Sequence, residues 1–157
     1  MNVQQKLPPP ILFTKKGYEE AREKEQQLLV ERPDAVEELR KARAMGDLSE
    51  NGYYKAARAR LSSIDGRLRR LKKVLKRAKI VESSGSGAVE IGSTVTISTD
   101  GRDSTYTIVG GHESDPAKQT ISYMSPLGKA LMRKREGDTA VVHAPKGEMT
   151  YTIQDIS

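Results

Sequence analysis

Eight apolar positions spaced 3, 4, 3, 4, 3, 4 and 3 apart constrain this chain more than anything else in it. They are Tyr54, Ala57, Leu61, Ile64, Leu68, Leu71, Leu75 and Ala78. Such a run is a heptad seam, and it predicts a helix over about residues 51–79 that buries one narrow stripe against a partner helix. The partner lies just upstream. Residues 14–45 are rich in Glu, Lys, Arg, Leu and Ala, all good helix formers, with a weaker matching set at Tyr18, Ala21, Leu28, Val36, Leu39 and Ala42. Pro33 interrupts that stretch, so two pieces are expected, about 14–31 and 33–45, with Gly46 ending the second. Only a short connection separates the helices, which must therefore run antiparallel. At 1.5 Å per residue, a helix of about 28 residues extends roughly 40 Å.

A seam needs few large side chains, which fits a chain of 157 residues with one Phe, no Trp and a 36% hydrophobic fraction. No run approaches the length of a membrane span, and no partner in a membrane is expected. The start of the chain lacks the apolar core of a signal peptide, so a cytoplasmic location is expected. The absence of cysteine excludes disulfides and thiol chemistry.

The net charge of +6 is unevenly distributed. Residues 51–80 carry eleven basic side chains against Asp65 alone, while residues 14–46 are balanced and residues 81–157 are net acidic. A one-sided basic helix fits contact with phosphates, although a solvated face is the plainer alternative. Arg58 and Arg60, nearest the connection, are the first candidates to meet such an anionic partner.

The connection itself reads Gly46-Asp47-Leu48-Ser49-Glu50-Asn51. Asp47 and Glu50 share a face if the segment turns helically. Two carboxylates can contribute to a Mg²⁺ site but are too few to hold the ion alone. They equally suit a capping arrangement, Asp47 as N-cap and Glu50 three residues on.

Downstream, Ser83-Ser84-Gly85-Ser86-Gly87 reads as a flexible linker within 81–88. Short alternating runs follow at 89–91, 94–98, 104–109, 120–123, 139–143 and 148–156, with turns at Asp100-Gly101, Gly110-Gly111 and Pro145-Lys146-Gly147. Ser125 as N-cap and Pro126 at the first helical position start one short helix. The fold class is α+β: an extended segment over 1–13, an antiparallel coiled-coil hairpin over 14–80 with an acidic tip at 46–51, and a small sheet domain over 89–157. His112 and His143 stand alone and receive no metal role.

The tip, followed by Tyr54, resembles the fingertip motif of the bacterial Gre transcript-cleavage factors. The resemblance runs through Thr14-Lys15-Lys16-Gly17-Tyr18, Arg32-Pro33, Ile80-Val81, Gly92-Ser93-Thr94-Val95, Ile108-Val109-Gly110, Ile121-Ser122, Ser125-Pro126-Leu127-Gly128-Lys129-Ala130-Leu131 and Gly137-Asp138. Around Arg60, Asp65 and Arg67 it leans toward the GreB branch.

The resemblance implies an FKBP-like C-terminal domain that docks on bacterial RNA polymerase in the region of Ser125 and Pro126. It implies a hairpin that enters the secondary channel, contacts the 3′ end of backtracked RNA through Arg58, Arg60 and Arg67, and brings Asp47 and Glu50 to a Mg²⁺ shared with the polymerase active site. The polymerase then cleaves its own transcript; the factor, expected to be a monomer, is not itself an enzyme. At the tip, Gly52-Tyr53 departs from the family's usual Ala and acid. Two other readings stand beside this one: a channel-binding inhibitor without cleavage, and a coiled-coil RNA-binding scaffold.

Overall fold

The computed structural model describes residues 8–45, 52–145 and 147–157. The element order is β1 (Ile11–Phe13), α1 (Lys15–Ala44), α2 (Gly52–Lys76), β2 (Ala78–Ile80), β3 (Thr94–Thr99), β4 (Arg102–Val109), a 3-10 turn (Pro116–Lys118), β5 (Thr120–Ser122), α3 (Pro126–Leu131), β6 (Thr139–Ala144) and β7 (Gly147–Ile156). The chain divides into two units, one holding residues 19–77 and the other residues up to 18 together with 78–157. The fold class is the expected one, a helical hairpin followed by a sheet domain with one helix.

In the hairpin unit the seam of α2 packs as its spacing dictates. Leu28 and Ala35 of α1 are buried with Ile64 and Leu68 of α2, flanked by Leu61 and Leu71. Nearer the bend, Leu39 and Ala42 close on Ala57, with Tyr54 and Leu61 packed against them. Residues late in α1 therefore meet residues early in α2, which is antiparallel pairing. Ala35, Ala42 and Ala57 are at most 1% exposed, so the two backbones come close along much of the seam.

Two expectations for α1 are corrected. The helix is continuous through Pro33. Position 33 is exposed, so the Leu29 carbonyl that loses its helical partner there has water as a substitute, and the ring has no neighbouring helix to strike. The seam also uses Ala35 rather than Val36, which is 41% exposed. The buried positions of α1 are Glu25, Leu28, Ala35, Leu39 and Ala42, with half-buried Tyr18 and Ala21 in phase with them. Glu25, and the exposed Arg32 that stands at the same heptad phase, are charged, which is why the pattern looked weak. Glu25 is buried and accepts a hydrogen bond from Arg22 at 3.2 Å.

The sheet unit contains a five-stranded sheet ordered β5-β4-β3-β7-β6, antiparallel except for the β4–β5 pair. Asp100 and Gly101, both at positive φ, join β3 to β4 with Thr99 opposite Arg102. That is the two-residue primed turn an Asp-Gly pair favours. Val89, Val95, Ile97, Ile108, Leu131, Ala140 and Ile153 form the core between the sheet and α3.

Residues 89–91 are not a strand. Val89 exchanges backbone hydrogen bonds with the segment after α3, donating to Lys134 and accepting from Arg133. Residues 83–86 are also more tightly held than a Ser-Gly run suggests. The Glu90 carboxylate accepts from the Ser84 backbone at 2.6 Å and from the hydroxyls of Ser83, Ser84 and Ser86. The Ser84 N–H is the chief reason its carboxyl titrates below the ordinary range.

Where the chain enters and leaves the hairpin, two three-residue strands pair in parallel, Ile11–Phe13 beside Ala78–Ile80. Residues 11–13 thus belong to a strand, and α2 stops at Lys76 so that 78–80 can pair. The Phe13 ring is buried and meets Tyr18 edge-on at 6.3 Å. Thr14 caps α1, its Oγ accepting from Gly17 N at 3.0 Å. The carboxylate of Glu113, from the loop after β4, accepts from the Thr14 N–H and hydroxyl and from Gly110 N at 2.6 Å. A Cβ on Gly17 or Gly110 would collide with that carboxylate, and on Gly110 also with the Leu12 carbonyl.

This geometry gives a sign test. Ala normally stabilises a helix interior relative to Gly by about 1 kcal/mol. Gly17→Ala should instead destabilise the protein by about 1–2 kcal/mol, because the Glu113 side chain must swing out and abandon its hydrogen bonds. In a Glu113→Ala background the same change should become neutral or favourable. Urea unfolding of the two single variants and the double variant measures the reversal.

Candidate nucleic-acid interface

The cationic side chains of α2 are organised by its seam. Residues one step after successive seam positions are Lys55, Arg58, Ser62, Asp65, Arg69, Lys72 and Lys76; one step before them stand Arg60, Arg67 and Arg70. Positive charge therefore flanks the helix–helix contact on both sides. Arg58, Ser62, Asp65 and Arg69 are spaced 4, 3 and 4 apart, and with Leu39 and Leu61 they line one open groove along the hairpin.

Two of the charges on α2 are used inside the hairpin. Arg60 reaches across to α1, donating to Glu38 at 2.6 Å and to Glu31 at 3.4 Å. On the opposite flank Asp65 accepts two hydrogen bonds from Arg32, at 2.6 and 3.5 Å. The Arg32 hydrogen bond holds the Asp65 carboxyl below its ordinary value of 3.8, and Glu38 followed by Glu31 raises the Arg60 guanidinium above its own. Arg58, which is exposed, and Arg67, which is half-buried, have no acid within ion-pair distance among the described residues. Of the three arginines expected at RNA, two are thus available for an outside anion, while Arg60 already bridges the helices.

Asp47 and Glu50, the expected metal-directed acids, lie outside the described residues; the chain passes through them between Met45 and Gly52. Tyr54 packs against the nearby Leu39, Ala42 and Ala57 cluster, as its seam position requires. The described residues contain no group of three or more His, Asp or Glu able to hold a metal ion. His143 instead pairs with Glu148 across the β6–β7 hairpin at 3.1 Å.

Ser125 is the N-cap of α3. Its Oγ accepts from Gly128 N at 3.0 Å and donates to the Ser122 carbonyl at 2.7 Å. Pro126 occupies the first helical position, where no donor is lost. It is exposed and lies beside Met124, which is 56% exposed. The pair therefore has a structural task and an open surface next to it.

Sequence reasoning missed Glu113, Glu90 and the Arg32–Asp65 pair. Arg32 and Asp65 carried a usable signal: a charge at the heptad phase of the α1 seam, and the lone acid in the basic run of α2. Glu113 carries little local signal, because its partner Thr14 lies 99 residues away in sequence and its near partner Gly110 offers only a backbone N–H.

A helical hairpin with cationic side chains on both flanks of its seam, in a chain that also folds a small sheet unit, defines a two-unit α+β protein. Comparison with known proteins says which kind. The family described as transcription elongation factor, N-terminal, matches residues 11–80, and the GreA/GreB C-terminal family matches residues 84–157. Transcription elongation factor GreA of Bacillus licheniformis is 40% identical, covering 98% of this chain and 99% of the relative. GreA of Nitratiruptor sp. is 40% identical over 92% of this chain and 91% of the relative. Among solved structures, GreA factor homolog 1 of Thermus thermophilus is 27% identical, covering 94% of this chain and 99% of that one, with a TM-score of 0.45. The chain belongs to the GreA/GreB family of transcription elongation factors. These matches do not separate the two branches, so the leaning toward GreB is unresolved by them. No described helix is long and apolar enough to cross a membrane.

The cross-helix pairs give a pH test. The unfolded Asp65 carboxyl titrates near 3.8 and the folded one lower. Its stabilising contribution is complete above that value and is lost as pH falls through the folded one. Asp65→Asn should flatten this part of the acid dependence of helix melting, followed by circular dichroism. Arg60→Ala should lower the melting temperature at low salt with little effect at high salt, whereas Arg58→Ala should leave it unchanged at both.

Proposed function

We propose that this protein enters the secondary channel of bacterial RNA polymerase and stimulates the polymerase's own Mg²⁺-dependent cleavage of backtracked RNA. The observation that carries the reading is the position of an acidic pair in the chain. Asp47 and Glu50 fall in the only segment joining α1 to α2, within a chain whose two segments both match elongation-factor families. The hairpin is then a carrier, and its bend is what it carries.

Two carboxylates are a donor set that fits Mg²⁺ only in part, since the ion takes six oxygen ligands and keeps several waters. In the complex Asp47 and Glu50 would supply oxygens, and the polymerase the rest. Bound there, the ion activates water and offsets charge developing on the phosphate. This chain's task is to place two anionic oxygens, to hold them there through the seam, and to hold the RNA. Arg58 and Arg67 are open to the phosphates of the extruded 3′ segment, giving affinity that falls with salt and reads no sequence. Ser125, Pro126 and exposed Met124 form the surface by which the sheet unit docks on polymerase. The factor by itself is inert toward RNA, acts as a monomer and works in the cytoplasm.

The test is a stalled, backtracked elongation complex carrying 3′-labelled RNA. Adding the protein with Mg²⁺ should release short 3′ fragments. Asp47→Asn or Glu50→Gln should lower the cleavage rate by at least about tenfold with helix content unchanged. Arg58→Ala should raise the concentration of factor needed, most visibly at high salt. Normal cleavage by both acid variants would refute the metal role. Slowed synthesis without cleavage by the parent protein would make it a channel-binding inhibitor, and RNA binding with no effect on polymerase would make it a scaffold.

A further inference from the structure

Strand β6 is an edge of the five-stranded sheet: among the described residues it pairs with β7 alone. One hydrogen bond fixes the direction in which its backbone groups point. Ile153 N–H donates to the Asp138 carbonyl at 2.9 Å, in the register that pairs Thr139 with Thr152. Along an antiparallel pair, residues that exchange hydrogen bonds alternate with residues that do not. Ala140, Val142 and Ala144 therefore bond to β7, while the N–H and C=O groups of Thr139, Val141 and His143 point outward. Those three residues are exposed, Val141 by 45%. Natural edges are guarded by lysine, proline, charge or a covering element. β6 reads Thr-Ala-Val-Val-His-Ala and carries no Lys, Pro, Asp or Glu. Its one ionisable side chain, His143, is held by Glu148 of the same chain at 3.1 Å.

We infer that this edge pairs with the same edge of a second copy of the chain, antiparallel and centred on Val141. The argument is self-complementarity. In that register Val141 meets Val141 of the second copy, and Thr139 of each copy meets His143 of the other, so every outward backbone group of the three residues is bonded. The neighbouring registers each leave one of the three unpaired within β6. Thr139, Val141 and His143 share one face of the strand, opposite buried Ala140. Pairing sets one valine beside the other across the axis and places no like charges opposite each other. The contact is isologous and consumes the edge. β5, the edge left on the far side of each sheet, has only three residues, so growth stops at two copies. Three residue pairs make a small contact beside that of a stable dimer. Dilution reverses it, and the acting form proposed above stays the monomer. The inference stands on the sheet unit alone and does not rest on that function.

The test uses the full chain between about 10 μM and about 1 mM, followed by sedimentation equilibrium and amide hydrogen exchange. The mass should rise toward that of two copies. Over the same range the amides of Thr139, Val141 and His143 should gain protection, while those of Ala140, Val142 and Ala144 are protected throughout. Val141→Lys puts like charges on the axis and should raise the dissociation constant at least about tenfold. Its circular dichroism should match the parent's, because the side chain is exposed. Val141→Thr, neutral and β-branched, should pair as the parent does. The chain has no cysteine, so Val141→Cys gives an independent reading: a short thiol cross-linker should join two copies, whereas exposed Asp103→Cys on β4 should stay single. A monomer mass at every concentration would overturn the inference. So would a dimer whose three alternate amides gain no protection, or undiminished pairing by Val141→Lys. Protection of those amides only when RNA polymerase is added would assign the edge to that partner and refute self-pairing.

Discussion

The hairpin hangs on one narrow apolar seam. Two helices of 30 and 25 residues hold together through a single stripe, and the stripe is lined with alanine at positions 35, 42 and 57. Small residues let the helices approach closely, so short side chains still exclude water. Because the seam consumes so little of each surface, the rest of the hairpin is free to be charged. Cross-helix pairs on the two flanks, Arg60 with Glu38 and Glu31, and Arg32 with Asp65, reinforce the alignment without adding bulk. Exposed pairs of this kind contribute little stability singly. Their value lies in opposing any slip of one helix along the other, since a slip would separate both sets together.

The segments by which the chain enters and leaves the hairpin are built from very short pieces: a parallel pair of three-residue strands, the buried ring of Phe13, and the hydrogen bonds of Thr14 to Glu113. None would be stable alone. They succeed because each uses the others, the strand pair placing Thr14, Thr14 capping the helix, and Glu113 binding the cap to the sheet. The glycines at 17 and 110 are the sequence trace of that crowding.

Much of this was readable in the sequence, and the reasons for the remainder are physical. The seam of α2 announced itself because heptad spacing is a local property, and five strands of the main sheet followed from alternation and turn residues. β1 and β2 did not, because a three-residue parallel pair formed by residues 67 apart leaves no periodic mark, and Ala78 also continues the helical seam. Pro33 misled because its cost depends on whether it faces water or a neighbour, which only packing decides. The Ser-Gly run at 83–87 looked slack, yet one carboxylate, Glu90, gathers it. For the candidate site, Arg58 and Arg67 have no acid within ion-pair distance among the described residues while Arg60 is engaged by α1, a distinction that composition alone could not draw. Asp47 and Glu50 were chosen by residue type, spacing and resemblance to the family.

The central claim is that the hairpin works by reach, carrying two acids a fixed distance. Its length can be changed without disturbing its chemistry. Deleting one heptad from each helix at matching heights, residues 25–31 and 68–74, keeps the seam in phase, spares Arg58, Arg67 and the Arg32–Asp65 pair, and shortens the hairpin by about 10 Å. The decisive measurement is transcript cleavage by this shortened protein in a backtracked polymerase complex, alongside its helix content and polymerase affinity. The account predicts a folded protein that still binds polymerase and no longer stimulates cleavage. Cleavage at the parent rate by a hairpin that much shorter would contradict it.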